Sequence, residues 1–400
     1  MAGYINRHRA SQLMVEQGLS ALVLAQPESI TYATGASAGV ASYWRRAGAA
    51  FVLVPADPAL PMAAVVGDLQ AESFAAQSGI SDVRSHRIWV ETGRYPDSDF
   101  VKPKRQPRPA QFELARSLEL LRDILRERQL LHAPIGLELG FIPVADFSVF
   151  AAISVSWRDC TNVVERLRSI KHPEEILKLR LAADLATAGR TKLIQSIGLG
   201  QTSEEMVEFW KRSVLAVVRE EGCAAPDSSW AYISVGGDGF APGGPAQKGD
   251  LIKIDVGCVV DGYSSDGART VVLGAPKPQA VKIYEALHRA FDAGLALMKP
   301  GTLLKDIYFA TATSMWDAGF ETYGRGHFGH GVGASIWSEE WPFFSADATA
   351  RLEPDMVLAF ETPWYIDGLG GFIIEDQILI TERGHEIMAP ASRHLERIKI

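Results

Sequence analysis

Five residues in the second half of the chain have the types and spacing to hold a pair of divalent cations: Asp255, Asp266, His330, Glu361 and Glu375. In DLIKIDVGCVVDGYSSDGARTVVLG, Asp261-Gly262 joins two β-rich runs, and both residue types accept the positive φ of a two-residue hairpin turn. With Val260 paired to Tyr263, Asp266 falls opposite Gly257, and Asp255 shares the face of Gly257 because side chains alternate with period two. The aspartates become diagonal neighbours with Cβ atoms about 7 Å apart, within reach of two ions separated by about 3.5–4 Å. The segment MVLAFETPWYIDGLGGFIIEDQILI repeats the construction, its Gly-rich turn from Asp367 to Gly371 placing Glu361 opposite Glu375. His330 stands in Gly329-His330-Gly331-Val332-Gly333, where the glycines admit close approach of other groups. Such oxygen and nitrogen donors suit Mn, Fe, Co or Zn, and two divalent cations balance four carboxylates. A lone strand carboxylate ordinarily faces solvent. Burying four without cations would be very costly, and only Lys253 and Arg269 lie near the aspartates in sequence.

The elements that must position these residues read as two domains, because 400 residues exceed what one hydrophobic core usually organises. The first, residues 1–163, alternates helical stretches with apolar strands (SALVLA, AAFVLVPA, MAAVVG, PIGLEL), which predicts a small α/β domain. Gln26-Pro27-Glu28-Ser29 reads as a turn, and residues 86–112, rich in Pro, Arg and Lys, as a long loop that is functional or disordered. The second domain, 164–400, opens on a long helix with Pro173 near its start and Glu174 and Glu175 complementing its dipole. Helices are expected over 204–221, 278–297 and 303–318. Strands are expected over 231–235, 251–260, 263–273, 331–337, 356–362 and 372–380. Helices on one side of a largely antiparallel sheet make an α+β domain.

Composition narrows the function classes. A formal charge of -8 argues against nucleic acid as the main partner, which requires a basic footprint. The N-terminus lacks the apolar core of a signal peptide, and no run approaches the roughly 18 apolar residues of a membrane span. The three cysteines, Cys160, Cys223 and Cys258, have no CxxC spacing and read as reduced thiols of a cytoplasmic protein.

The motifs IDVG through SDGART, GHGVG, ETPWY and IEDQILIT resemble those of the pita-bread metallohydrolases, the family of methionine aminopeptidase, prolidase, aminopeptidase P and the metal-free creatinase. The likeness runs nearly the whole length: GLSALVLAQPESITYATG is similar to the start of the family's creatinase-like N-terminal domain, and VERLRSIKHPEEILKLRLAADLA to its linker. The resemblance implies that Asp255 holds one metal, that Asp266 and Glu375 bridge both, and that His330 and Glu361 hold the other. It implies further that the ions acidify a water which attacks an amide carbonyl as hydroxide, with Glu361 taking the proton. It also implies a homodimer in which the first domain of one subunit borders the active site of the other, and the candidates there are Tyr43, Trp44, Arg45 and Arg46, whose aromatic and guanidinium groups crowd just before AAFVLVPA. An Arg there would pair a substrate carboxylate.

Two departures bear on the reaction. Peptidases of this family usually carry a His about a dozen residues before the first metal-binding Asp, and here VGGDGFAPGGPAQKGD has none, with Gly243 near that place. A second usual His follows the GHG histidine by seven residues, where Trp337 stands. Those imidazoles contact the substrate amide or the tetrahedral intermediate. His327 is a substitute or a structural hydrogen-bonding residue, and Trp337 would narrow the pocket toward a small or cationic substrate. The readings are a metallopeptidase for Xaa-Pro peptides, or a hydrolase or lyase for a small zwitterion of the ectoine, creatine or dimethylsulfoniopropionate kind. A catalytically dead binding module on the same fold is a third, which the complete ligand set disfavours.

Overall fold

The computed structural model describes residues 3–91, 107–335 and 339–400, and the chain divides into two compact units, Met1–Arg168 and Ser169–Ile400. Trp337 and residues 92–106 of the expected 86–112 loop lie outside the described residues. No helix among the described residues is long and apolar enough to cross a membrane.

The first unit is a sheet of β1 (Ala21–Leu24), β2 (Phe51–Pro55), β3 (Ala63–Gly67), β4 (Asp82–His86), β5 (Pro134–Leu137) and β6 (Ser156–Asp159), in the order β4-β3-β2-β1-β5-β6. Around it run α1 (Arg7–Glu16), α2 (Pro27–Thr34), α3 (Val40–Trp44), α4 (Ala71–Ser78), α5 (Leu114–Glu127), α6 (Val144–Ala151) and α7 (Thr161–Arg168). Both faces of the central strands β1, β2, β3 and β5 are buried, which is why they read as continuous apolar runs. Leu22, Leu24, Val52, Val54 and Val66 pack with residues of α1, α2 and α7. Val23, Phe51, Leu53 and Val65 pack with Leu118, Leu121 and Leu125 of α5. The turn expected at Gln26–Ser29 is instead the start of α2. Pro27 takes its first turn, where no N–H is needed, and Gly35 ends it at φ 69.

The second unit begins with α8 (Pro173–Ser196), whose capping box pairs His172 with the backbone of Glu174 and the Glu175 carboxylate with the N–H of His172 at 2.8 Å. Then come α9 (Ser203–Glu221), β7 (Ser228–Val235), β8 (Leu251–Val260), β9 (Tyr263–Ser264), β10 (Ala268–Leu273), α10 (Pro278–Leu295) and α11 (Leu304–Asp317). The chain closes with β11 (His327–Gly331), β12 (Glu340–Ser345), β13 (Val357–Glu361), β14 (Trp364–Ile366), β15 (Gly370–Phe372), β16 (Glu375–Ile380), β17 (His385–Ile387) and β18 (Glu396–Ile398). Where one sheet was expected, two larger ones form, β18-β10-β8-β7 and β12-β11-β13-β16-β17, beside the small β14-β15 pair. Each buries one face under its own helices. Ile252, Ile254, Val256 and Cys258 of β8 pack with α8 and α9 residues, whereas Leu358, Phe360 and Ile378 pack with α10 and α11 residues. The alternate residues of β8 and β13, including Asp255 and Glu361, fall on the opposite faces. Bridges Arg269↔Ile374 and Tyr263↔Ala334 tie the two sheets together.

Candidate metal centre

The β8–β10 hairpin keeps one register from its turn onward: Val260↔Tyr263, Val259↔Ser264 and, beyond a break in the ladder, Ala268↔Asp255. In the break, the Ser265 N–H still donates to Cys258 O and the Val256 N–H to Gly267 O, so Asp266 stands opposite Gly257. A Cβ at Gly257 would lie 2.3 Å from Ser265 O and 2.4 Å from the Trp230 ring, so only glycine lets the strands close here. The Asp266 N–H turns to Gln377 Oε1 at 3.2 Å on the other sheet. Glu361 pairs directly with Glu375 across β13 and β16.

His330 reaches the same place by breaking alternation. Phe328 points into the helix-covered core, so regular period two would send His330 after it. Gly329 at φ 126 and register shifts against β12 turn the chain instead, and a Cβ at Gly329 would meet Ala359 O at 2.1 Å. The Nδ1 of His330 lies 3.0 Å from Gly331 O, an acceptor only, so it carries the proton and Nε2 keeps its lone pair. That Nε2 is 3.6 Å from Asp266 Oδ2. Burial holds His330 below the usual imidazole pKa.

Ligand atoms of Asp266, His330 and Glu375 lie within 4.8 Å of one another. Asp255 and Glu361 line the same cavity of about 1310 Å³. Burial, then mutual repulsion, raises the Glu375 carboxyl well above its ordinary range. Burial likewise raises Asp255, against the pull of Lys253, and pushes Glu361 up to about 7 against the pull of Arg325. Carboxyls crowded until they resist ionisation, beside an imidazole with a free Nε2, fit divalent cations, which supply the missing positive charge.

Several residues of the cavity escaped sequence reading as site residues. Arg325 donates to Glu361 Oε1 at 2.7 Å and to His327 O at 3.1 Å. Lys253 reaches Asp255, and the period-two rule applied to β8 would have put the two on one face. Glu339 lines the wall and bears electrostatically on Asp255, Glu361 and His330. Tyr365 stands edge-on to Phe240 at 5.4 Å, and Trp230 and Tyr232 extend this aromatic wall. Arg269, noted in sequence beside the aspartates, is spent elsewhere: it pairs with Asp376 at 2.5 Å and donates to Glu375 O at 2.6 Å, clamping β16 to β10. Behind the carboxylates lies Arg190, whose pKa burial and Arg269 bring down to about 9.

The remaining sequence candidates are dispersed. His327 lines the cavity, its Nδ1 accepting the Gly329 N–H at 3.1 Å and lying 3.7 Å from Glu361 Oε1. The neutral ring therefore carries its proton on Nε2. Gly243, at φ 78, bridges to Val235 and is a turn residue, while its neighbours Phe240, Ala241 and Pro242 line the cavity. In the first unit Trp44 stands 5.1 Å from Trp89, Arg45 is held by Glu28 at 2.5 Å, and Tyr43 and Arg46 are exposed.

A creatinase-like unit followed by a pair of largely antiparallel sheets that enclose a carboxylate and imidazole cluster defines a two-domain metal-dependent hydrolase of the pita-bread kind. The chain belongs to metallopeptidase family M24, whose model matches residues 178–382, and residues 7–170 match the creatinase/prolidase N-terminal domain. It is 30% identical to an Xaa-Pro dipeptidase of Pyrococcus furiosus over 65% of this chain and 75% of that protein. To the uncharacterized peptidase YqhT of Bacillus subtilis it is 33% identical over 65% and 74%. Among solved structures, the Xaa-Pro dipeptidase from Bacillus anthracis superposes with a TM-score of 0.78 at 22% identity, covering 98% of this chain and 99% of that one. The family implies divalent metal ions.

Proposed function

We propose that the chain is an Xaa-Pro dipeptidase or aminopeptidase acting on small peptides with two divalent ions, held by Asp255, Asp266, His330, Glu361 and Glu375. The observation that carries this reading is the gathering of Asp266, His330 and Glu375 within 4.8 Å in a cavity that Asp255 and Glu361 also line. The named activity of the Pyrococcus furiosus relative supplies the substrate class. When bound, such ions acidify a water and polarise an amide carbonyl. Glu361, with its carboxyl near pH 7 and its Oε1 steadied by Arg325, receives the proton of the attacking water. His327 donates from Nε2 to the developing oxyanion or the leaving nitrogen, in the place of the imidazole missing from residues 235–250.

A second reading, a hydrolase or lyase for a small zwitterion, is favoured by one wall of the cavity. Trp230, Tyr232 and Phe240 line it, beside the carboxylates Glu204, Glu208 and Glu339. Such a wall attracts an ammonium or sulfonium group. A metal-reconstituted assay of Xaa-Pro dipeptides, longer Xaa-Pro peptides, and ectoine-like, creatine-like and sulfonium zwitterions decides between them. The expected result is kcat/KM of about 10⁴ M⁻¹s⁻¹ or above on at least one Xaa-Pro dipeptide. Turnover confined to a zwitterion would replace the first reading by the second.

The same proposal makes the enzyme a cytoplasmic homodimer, in which Trp44 and Arg46 of one subunit border the partner's cavity and Gly243 shapes the loop that carries Phe240. The three free cysteines support the compartment. Solution scattering is expected to give twice the mass of one chain, and Arg46→Ala to raise KM for substrates bearing a free carboxylate. A monomer with full activity would remove this part of the proposal.

A further inference from the structure

Lys253 precedes Asp255 by two residues on β8 and shares its face. Its side chain is 3% exposed, and its Nζ lies 3.4 Å from Asp255 Oδ2. The ammonium also stands over two aromatic rings, 6.0 Å from the centroid of Phe240 and 5.4 Å from that of Tyr365. A carboxylate on one side and ring faces on the other hold a buried cation in place. Asp266, His330 and Glu375 form the preassembled trio, and outside it Lys253 reaches Asp255 and Arg325 reaches Glu361.

We propose that Lys253 is a built-in competitor for the metal position that requires Asp255, so that loading of this position, and not of the trio, is set by Lys253. The inference rests on the metal-site reading above and concerns how the two ions are acquired. An ion approaching Asp255 meets an ammonium already in contact with the Oδ2 it needs. It must displace that group or lie beside it, and like charges at such distance in a low-dielectric cavity repel strongly. The ion at the trio meets no such contact at Asp255. Arg325 acts on Glu361 from a side chain 21% exposed, whereas that of Lys253 is enclosed.

The test is calorimetric titration of the chelator-treated full-length protein with Mn²⁺, together with metal analysis after dialysis, on wild type, Lys253→Met and Lys253→Arg. Met keeps the aliphatic length without the charge, and Arg keeps the charge. Removing one unit of charge from within about 4 Å of the ion is expected to tighten the weaker site at least about tenfold in Lys253→Met. The stronger site should stay within about twofold, and Lys253→Arg should keep the wild-type weakness. Phe240→Leu, at a residue 73% exposed and thus tolerant of change, loosens the ammonium's platform and should shift the weaker site in the same direction as Met. Two equally tight ions in wild type, or an unchanged weaker site in Lys253→Met, would overturn the proposal while leaving the two-ion enzyme standing. Wild type that binds no Mn²⁺ at all would overturn both.

Discussion

Asp266→Ala and Glu375→Ala are each expected to lose metal and activity together, by more than the roughly 10–100-fold that removing a supporting outer group costs. Both residues belong to the trio whose ligand atoms lie within 4.8 Å, and both are buried. A neighbouring carboxylate cannot move in, because Asp255 and Glu361 are fixed on β8 and β13 by ladder hydrogen bonds and by their own cations. Stability gives a second, independent signature. Bound ligand stabilises the native state by about 2.7 kcal/mol at a hundredfold excess over Kd. In a domain of this size that is a rise in Tm of about 5–10 °C on adding Mn²⁺ to wild type, and almost none in either variant. In the absence of metal the order reverses. Glu375 is raised by burial and by the charges of Asp266, Asp255 and Glu361, so deleting one carboxylate relieves repulsion and leaves the metal-free variant at least as stable as metal-free wild type. Thermal scans with and without Mn²⁺, paired with metal analysis, read both effects. A variant that keeps wild-type metal content would show that its carboxylate only supports the site.

How far the sequence foretold this site depends on which physical rule sets each residue. Turn chemistry and period two suffice for the carboxylates: Asp261-Gly262 fixes β8 against β10, and the loop around Gly368 fixes Glu361 against Glu375, as the structure has them. The strand expected over 263–273 is interrupted at Ser265–Gly267, because Asp266 gives its N–H to Gln377 of the other sheet. That is a tertiary demand with no local signal. The strand expected over 331–337 begins instead at His327, because Gly329 and Gly331 lie within the ladder and buy close approach to Ala359 and Trp341 rather than a turn. Arg325 and Glu339 come from segments with no periodicity, and only folding brings them to the cavity. In the first unit the apolar runs declared the strands, while Pro27 misled: the same residue opens a turn or caps a helix, and Gly35 decides for the helix.

The metal-free protein is expected to lose stability as pH rises from about 5 to 8, and the metal-loaded protein to gain it. An exposed carboxyl titrates near 4. In the folded chain Glu361 is pushed up to about 7 and Asp255 and Glu375 are raised, all chiefly by burial. Between about pH 4 and these higher values the folded state binds more protons than the unfolded one, so its stability is fully present on the acid side and drains away as pH climbs through the window. For Glu361 alone the loss between pH 5 and 8 is on the order of 2 kcal/mol. Glu175, likewise pushed up to about 7 by burial but far from any proposed ligand role, adds a decline that metal does not abolish. His327 and His330 act oppositely at the acid end: their lowered pKa values cost stability as pH falls below about 6.5, which sets a maximum rather than a monotonic fall. Divalent cations need the carboxylates ionised and His330 neutral, so they compete with protons and bind more tightly as pH rises. Urea unfolding at pH 5, 6, 7 and 8, with chelator and with Mn²⁺, should therefore give slopes of opposite sign. Glu361→Gln should flatten the chelated curve, and Glu175→Gln should make both slopes more positive by a similar amount, flattening the chelated fall and steepening the metal-loaded rise. A chelated curve that Glu361→Gln leaves unchanged would mean that the Glu361 carboxyl is not crowded as the geometry places it.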